Sequence, residues 1–426
     1  MKERDYQGYL IFHSDEHKSE YLADAEERIK FISGFAGSNA YALVTAEKAL
    51  CWTDSRYYLA CERQLEAGWE MMKMEKEVPS YNDWVRDNMN EGDKIAVDAR
   101  VMGVAGVKLR TTTFSEKGKT LLPQENENLV DMVWGEAKPK RSQDPVWVLD
   151  LEFAGESVTD KIERICKQVA EKKADALLVS TLDDVAWTTN MRGADIDCNP
   201  LFFAYMLVHV EEKKLQLFID KTKVQSEKVQ EHLKSFNCEV LAYEETFETL
   251  KALAGSGKKV GFDPNELNYA MFSSIKDHEP VEIEALIQTM KATKNAAQQQ
   301  GMIDCHIRDC AALFKYFSWL NQELKKGTEI DEVDGADKLR WFRAQQPRFI
   351  YPSFETISSI GPNGADIHYK PEKGSCKLIN RDEIYLCDSG GQYLDGTTDI
   401  TRTTHFGGQA PTAFQKEMFT RVLIGN

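Results

Sequence analysis

The arrangement of apolar runs along the chain is the feature that most restricts its fold. Up to about residue 145, short strand-like runs alternate with helical ones, for example the predicted strands Tyr41 to Thr45 and Lys48 to Thr53 and the predicted helix Arg56 to Glu66. This alternation is typical of α/β domains, in which helices cover a sheet. We therefore predict an α/β fold for the first part of the chain.

A polar, proline-punctuated segment at residues 136–145 interrupts this pattern and is typical of a linker. A second α/β segment follows, with a predicted helix from Val158 to Lys172 and predicted strands at Ala176 to Ser180 and Phe202 to Val210. From about Glu282 to Gln322 the apolar residues keep helical spacing. We predict three domains, at residues 1–145, 146–285 and 286–426, with α+β character in the last.

The composition excludes several classes of protein. The 426 residues include 69 acidic and 53 basic side chains, a net charge of −16, which argues against nucleic acid as a partner. No apolar run approaches the roughly 18 residues that cross a bilayer, and the first residues lack the apolar stretch of a signal peptide. The nine cysteines are scattered without a CxxC pair. We expect a cytoplasmic protein with free thiols and no membrane span.

Familiar nucleotide-binding and hydrolase motifs are incomplete in this sequence. The segment at residues 254–259 resembles the tail of a phosphate-binding loop but lacks its first glycine and its final serine or threonine. Neither HExxH nor GxSxG occurs. Cys305 and His306 fall on a predicted amphipathic helix, where packed or solvated side chains are the simpler interpretation. These observations favour neither nucleotide binding nor serine hydrolysis.

Two aspartates near the end of the chain form the most informative group. Asp388 and Asp399 lie eleven positions apart (399 − 388) on two predicted strands joined by a glycine-marked turn. Because strand side chains alternate, both carboxylates can face one side of the sheet while Cys387 and Ile400 face the other. Paired carboxylates suit manganese, magnesium or cobalt and can bridge two ions. On spacing alone the alternative stays open that these aspartates only mark the ends of turns.

Longer motifs resemble the cytosolic aminopeptidase P (Xaa-Pro aminopeptidase) branch of the pita-bread metallopeptidase family. They are DSGGQYLDGTTDITR at 388–402, FETISSIGPNGADIHY at 354–369, FAGS at 35–38, WTDSRY at 52–57, LDDVAW at 182–187 and RGAD at 192–195. The resemblance extends over essentially the whole chain. It implies two related creatinase-N-terminal-like α/β domains followed by a pita-bread catalytic domain.

The resemblance also implies the roles of individual residues. Asp388 would bind one metal ion and Asp399 would bridge two divalent ions, usually manganese. His368 matches the histidine that contacts the substrate near the scissile bond, and Arg56 matches an arginine that takes part in peptide binding. A solvated arginine at a helix start is the alternative for Arg56. The implied reaction removes the residue before proline from a peptide by a metal-activated water, and the implied assembly is a homodimer.

The family's remaining ligands, one histidine and two glutamates, are expected beyond the residues given by this sequence. On this interpretation residues 286–426 are the first half of a truncated pita-bread domain. Hard cations need more ligands than two carboxylates, so we expect little peptidase activity from the chain as given. The alternative is a non-catalytic truncated product that acts as a dimerisation or binding module.

Overall fold

The computed structural model describes residues 1–426, which form two compact units, Met1–Asn295 and Ala296–Asn426. The first unit contains two six-stranded sheets, and the second contains two three-stranded sheets with three helices. None of the helices combines the length and the apolar character that crossing a membrane requires. Short 3-10 helices lie at Lys2–Arg4, Asp24–Glu26, Gly135–Ala137, Lys221–Val224, Tyr243–Glu245, Lys276–His278 and Gly361–Ala365.

The first sheet has the strand order β4-β3-β2-β1-β5-β6. Its strands are β1 (Gly8–Phe12), β2 (Ala40–Thr45), β3 (Ala49–Thr53), β4 (Trp69–Lys73), β5 (Lys94–Asp98) and β6 (Thr120–Gln124). The accompanying helices are α1 (Arg28–Ser33), α2 (Tyr58–Gln64), α3 (Tyr81–Asn88), α4 (Val104–Ser115) and α5 (Leu129–Trp134).

Strand β1 is buried on both of its faces, which explains its unbroken apolar sequence. Tyr9 and Ile11 belong to one core cluster, and Leu10 and Phe12 belong to another. Successive strand residues point to opposite faces, so the two clusters are the two covered faces of the sheet. The first sheet is therefore the middle layer of an α/β sandwich.

The second sheet has the strand order β12-β11-β10-β8-β13-β14, and β7 pairs with β9 in a separate ribbon. The strands are β7 (Trp147–Val148), β8 (Ala176–Val179), β9 (Met191–Arg192), β10 (Ala204–His209), β11 (Lys214–Ile219), β12 (Cys238–Leu241), β13 (Val260–Phe262) and β14 (Val281–Glu282). The helices are α6 (Leu151–Ala154), α7 (Val158–Glu171), α8 (Leu182–Thr189), α9 (Glu227–Lys234), α10 (Thr246–Gly255), α11 (Tyr269–Ile275) and α12 (Leu286–Ala292).

The two large sheets share one topology. In each, three central strands pair antiparallel, as β3-β2-β1 and as β11-β10-β8. In each, one parallel strand is added at one edge and two at the other. This common pattern confirms the expected pair of related α/β domains.

The second unit packs three helices with two small sheets of order β15-β18-β19 and β16-β17-β20. Its helices are α13 (Ala296–Lys326), α14 (Glu332–Ala344) and α15 (Ala413–Gly425). Its strands are β15 (Phe349–Pro352), β16 (Ile357–Ile360), β17 (Ile384–Ser389), β18 (Gly391–Tyr393), β19 (Gly396–Thr397) and β20 (Ile400–His405). Its core includes Leu320 of α13, Leu339 of α14 and Tyr385 of β17.

The structure differs from the sequence prediction in two places in this region. The helical run expected from Glu282 to Gln322 is two helices, because Thr293 has extended dihedral angles (φ −83°, ψ 99°) and ends α12. The expected turn between the aspartate strands is instead the hairpin β18-β19, which joins the other small sheet. A side chain at Gly390 would lie 2.0 Å from the Thr398 carbonyl oxygen, so glycine permits this path.

Candidate functional site

Asp388 and Asp399 lie on one face of neighbouring antiparallel strands. Asp388 of β17 pairs with Thr401 of β20, and Asp399 directly precedes β20, two residues from Thr401. Residues two positions apart on a strand share a face, so Asp399 is the diagonal neighbour of Asp388. The register thus brings the two carboxylates together.

The opposite face of the same strands belongs to the core. Cys387 and Ile400 are buried and lie in the apolar cluster of the second unit. Burial raises the pKa of the Cys387 thiol to about 11. The thiol is therefore protonated at neutral pH and faces away from the carboxylates, which leaves an all-oxygen pair.

The carboxylate pair lacks a compensating positive charge. Oδ1 of Asp388 is buried and has no hydrogen-bond partner. Partial burial raises the pKa of Asp399, and the charge of Asp388 and a hydrogen bond to Asp388 raise it further. An orphaned carboxylate oxygen beside a second carboxylate fits a divalent cation, which prefers hard oxygen ligands and offsets the repulsion.

The pair is small as a ligand set. No group of three or more histidine, cysteine, aspartate or glutamate side chains is arranged to hold a metal ion in residues 1–426. Asp388 and Asp399 thus offer carboxylate oxygens for one part of a coordination sphere.

His368 lies on an exposed segment that follows the 3-10 helix Gly361–Ala365. This helix crosses the strand face that carries Asp388: a Cβ at Gly364 would contact the Leu386 side chain at 3.7 Å. Leu386 is two residues before Asp388 and shares its face of β17. His368 thus follows a segment anchored on that face.

A buried glutamate holds the segment around His368. Glu332 of α14 accepts hydrogen bonds from the Tyr369 hydroxyl at 2.7 Å, from Asn363 Nδ2 at 3.0 Å and from the Ile360 backbone N–H at 2.7 Å. Sequence reasoning missed Glu332, which lies 36 positions before His368 (368 − 332) in the first turn of a helix. Acidic residues are common in the first turn of a helix, so no local sequence signal distinguishes the buried Glu332 from a solvent-exposed one.

Arg56 belongs to the Met1–Asn295 unit, where it is held by a carboxylate two residues away. Its Nε and Nη2 donate to Oδ1 and Oδ2 of Asp54 at 2.9 and 2.8 Å. Asn39 Nδ2 donates to the same carboxylate at 2.6 Å. These bonds, chiefly that from Arg56, lower the pKa of Asp54. The guanidinium is thus oriented while its side chain stays 44% exposed.

The two first-domain motifs form one cluster. The Ser38 and Tyr57 hydroxyls are hydrogen-bonded at 2.5 Å, and Thr53 Oγ1 donates to the Asn39 carbonyl oxygen at 2.8 Å. The Phe35 ring meets Tyr57 edge-on with centroids 6.0 Å apart. Sequence analysis singled out both motifs but not the Asn39–Asp54–Arg56 chain of bonds that joins them.

Family models match the chain from end to end. Residues 1–131 and 137–298 each match a creatinase/prolidase N-terminal domain, and residues 300–426 match metallopeptidase family M24. Together with the repeated sheet topology, these matches confirm two creatinase-type α/β domains followed by a pita-bread metallopeptidase segment.

Curated relatives and a solved structure agree with the family models. The chain is 40% identical to a probable Xaa-Pro aminopeptidase P of Sordaria macrospora, over all of this chain and 70% of the relative. It is 43% identical to the Xaa-Pro aminopeptidase ApepP of Drosophila melanogaster, over 98% of this chain and 68% of that protein. The crystal structure of an X-prolyl aminopeptidase from Caenorhabditis elegans, described as a cytosolic enzyme with a di-nuclear active site, superposes with a TM-score of 0.90 at 36% identity.

The structural match covers 95% of this chain and 66% of the Caenorhabditis elegans chain. The chain thus spans about two thirds of the length of these relatives. Identity at this level over essentially the whole chain establishes common descent. The chain belongs to the Xaa-Pro aminopeptidase P family of M24 metallopeptidases.

Proposed function

We propose that this protein acts as a metalloaminopeptidase that removes the N-terminal residue from peptides with proline in the second position. The observation that carries the proposal is the Asp388–Asp399 carboxylate pair in the M24 segment. The pair has no cationic partner, and one of its oxygens, Asp388 Oδ1, has no hydrogen-bond partner. Family membership supports peptides with proline in the second position as substrates, and the carboxylate pair supports metal-dependent hydrolysis.

Asp388 and Asp399 are proposed to hold part of a two-ion centre, with manganese as the proposed metal. Such a centre supplies, when bound, a Lewis acid for the scissile carbonyl and a water of lowered pKa. The carboxylates set its position on one face of the β17-β20 ladder. The ladder fixes the backbone of Asp388 and of Ile400, which directly follows Asp399, and this favours precise placement of both carboxylates.

His368 is proposed to donate a hydrogen bond to the scissile carbonyl oxygen, a bond that strengthens as negative charge develops there. Glu332 acts as a positioning residue because it fixes the neighbouring Tyr369 hydroxyl. Arg56, oriented by Asp54, is proposed to bind the peptide. Proline as the second residue has no amide N–H, so its subsite need not offer an acceptor there.

We further propose that these 426 residues bind metal weakly and have little peptidase activity by themselves. Two carboxylates replace few of the waters of a hydrated divalent cation, and further protein ligands strengthen binding. The other functional proposals follow from the family: a cytoplasmic location, as described for the Caenorhabditis elegans enzyme, and a homodimer.

The alternative is a non-catalytic product that acts as a dimerisation or binding module. The two roles make different predictions for a version of the protein extended through a complete catalytic domain: only the catalytic role predicts that it cleaves peptides.

The test is release of the N-terminal amino acid from an Xaa-Pro-Pro peptide with added manganese. The 426-residue chain is compared with a version extended through a complete catalytic domain, each with and without His368→Ala. His278→Ala, which changes an exposed histidine of the first unit, is the matched control. Turnover in the extended protein that falls with His368→Ala alone supports the proposal. No turnover in any extended version overturns it and favours a binding module.

A further inference from the structure

A cavity of about 350 Å³ lies in the first unit at the carboxyl end of strand β1. Residues that follow β1, among them His13, Lys18 and Ser19, line one side of it. Gly103, Gly106 and Arg110 line another side, at the start of α4. The lining includes neither aspartate of the carboxylate pair, and it shares Asn39 with the Arg56 cluster.

The charge of the cavity is opposite to that of the chain. No aspartate or glutamate lines it, whereas Lys18 and Arg110 do, in a protein of net charge −16. Helix α4 begins beside it after Gly103, and its first two N–H groups donate to backbone carbonyl oxygens, so only the dipole of this 12-residue helix adds to the potential. The cavity therefore concentrates positive charge.

Arg110 is half-buried there and has no carboxylate partner. It donates to the Gly106 carbonyl oxygen at 2.9 Å and to the Tyr81 hydroxyl, and its guanidinium lies 5.3 Å from the centre of the Phe12 ring. Its Nε is buried and has no hydrogen-bond partner. Burial lowers the pKa of Arg110, as expected for a cation removed from water without a counter-ion.

Lys18 is the second half-buried cation, and it forms no ion pair. Burial lowers its pKa and the charge of Arg110 lowers it further, while Glu266 and Asp15 partly oppose the shift from outside the cavity lining. A Cβ at Gly103 would lie 3.2 Å from Lys18 Cε and 3.6 Å from Nζ, so the glycine allows the lysine side chain to pack this closely. Lys18 also has a left-handed backbone (φ 60°), a conformation that costs energy for a residue with a side chain.

Neutral hydrogen-bonding groups at the same cavity are also unsatisfied. His13 Nε2 and Ser19 Oγ are buried without a partner, in addition to Arg110 Nε. Buried polar atoms normally have partners, and orphaned ones cost free energy. Asp15 Oδ2 and Glu27 Oε2 are orphaned as well but lie outside the lining, which itself holds three unsatisfied atoms and two cations.

We propose that this cavity binds a small oxyanion, a carboxylate or a phosphate group, held by Lys18 and Arg110. The anion neutralises two half-buried positive charges and offers acceptor oxygens to the orphaned donors around it. The test of this site does not depend on catalysis.

The first test is calorimetric titration of the 426-residue chain with inorganic phosphate and, separately, with acetate, at constant ionic strength set by chloride. The variants are Lys18→Gln and Arg110→Met, and the control is Lys117→Gln, which removes the same charge from an exposed position. We expect saturable binding of one anion per chain, weakened at least tenfold in both variants and unchanged in the control. The anion that binds identifies the chemical class.

A second test avoids substitutions, since Arg110 also packs against Tyr81 and its loss can lower stability. Acetylation of lysines by acetic anhydride is followed by mass spectrometry with and without the anion that binds. The bound anion should slow modification of Lys18 and leave Lys117 unchanged. Absence of saturable binding for both anions overturns the proposal, as does binding that is undiminished in Lys18→Gln or fails to protect Lys18.

Discussion

Asp388 of β17 and Asp399, which directly precedes β20, are diagonal neighbours at the end of the β17-β20 ladder, and Asp388 contributes to the raised pKa of Asp399. Like charges at short distance disfavour each other's ionised form. The protein thus places two carboxylates where their negative charges repel each other and where a shared cation would stabilise both ionised forms.

Substitution Asp388→Asn in metal-free protein should lower the pKa of Asp399, because it removes the neighbouring charge. A raised pKa means that the folded state binds the proton more tightly, so this group stabilises the fold at low pH and loses that contribution as the pH rises through the folded-state pKa. In the variant, stability should fall less as the pH rises. Carboxyl NMR titration in EDTA measures the pKa of Asp399, and Asp382→Asn is the control. An unchanged Asp399 pKa in Asp388→Asn would contradict the assigned proximity.

Asp309→Ala should destabilise the second unit severely. Asp309 accepts both bonds of the buried Arg343 at 2.7 and 2.9 Å and a third from the Tyr393 hydroxyl at 2.8 Å. Breaking a buried ion pair leaves an uncompensated charge and costs about 3–5 kcal/mol.

The matched control for Asp309→Ala is Glu417→Gln in the exposed Glu417–Arg421 pair, where an effect below about 0.5 kcal/mol is expected. Urea unfolding measures both. Equal effects in the two variants would mean that the buried pair adds little to stability.

Arg56→Lys should raise the pKa of Asp54 towards its ordinary value, because lysine cannot make the two parallel bonds of the guanidinium. The loss of stability should stay below about 1 kcal/mol since the pair is partly exposed. In the extended enzyme KM should rise if Arg56 binds the peptide. Arg86→Lys, which alters a similarly exposed pair with Asp87, is the control and should leave KM unchanged.

Lys161 should make stability depend on pH above neutrality. Burial lowers its pKa to about 7 while its Nζ donates to the Trp187 carbonyl oxygen at 2.7 Å. The unfolded chain therefore binds more protons between about pH 7 and the ordinary lysine pKa of about 10.4, and stability should rise with pH across that window. Lys161→Met should flatten this rise, whereas Lys167→Met, on the exposed face of the same helix, should not.

The sequence predicted those features that depend on local periodicity. Alternation along residues 384–389 correctly separated Cys387, which is buried in the core, from Asp388 on the other face. The helix predicted from Val158 to Lys172 is α7, Val158–Glu171. Such features follow from side-chain direction and apolar spacing, which neighbouring residues alone determine.

Contacts between distant parts of the chain were beyond this reasoning. Glu332 supports the His368 segment through Tyr369, and Asp309 meets Tyr393 from 84 positions away. Each depends on how helices and strands pack, and a buried carboxylate on a helix has no sequence pattern that distinguishes it from a solvated one. The hairpin β18-β19 was missed for a related reason, because its strands of three and two residues are too short to show periodicity.

The most direct test of the central claim is manganese binding by the 426-residue chain, followed by the electron paramagnetic resonance signal of free Mn²⁺. Asp388→Asn, Asp399→Asn and the exposed control Asp382→Asn are titrated beside the unsubstituted chain. We predict weak, saturable binding that is lost in the first two variants and retained in the control. Binding that survives both substitutions would contradict the assignment of this carboxylate pair as metal ligands.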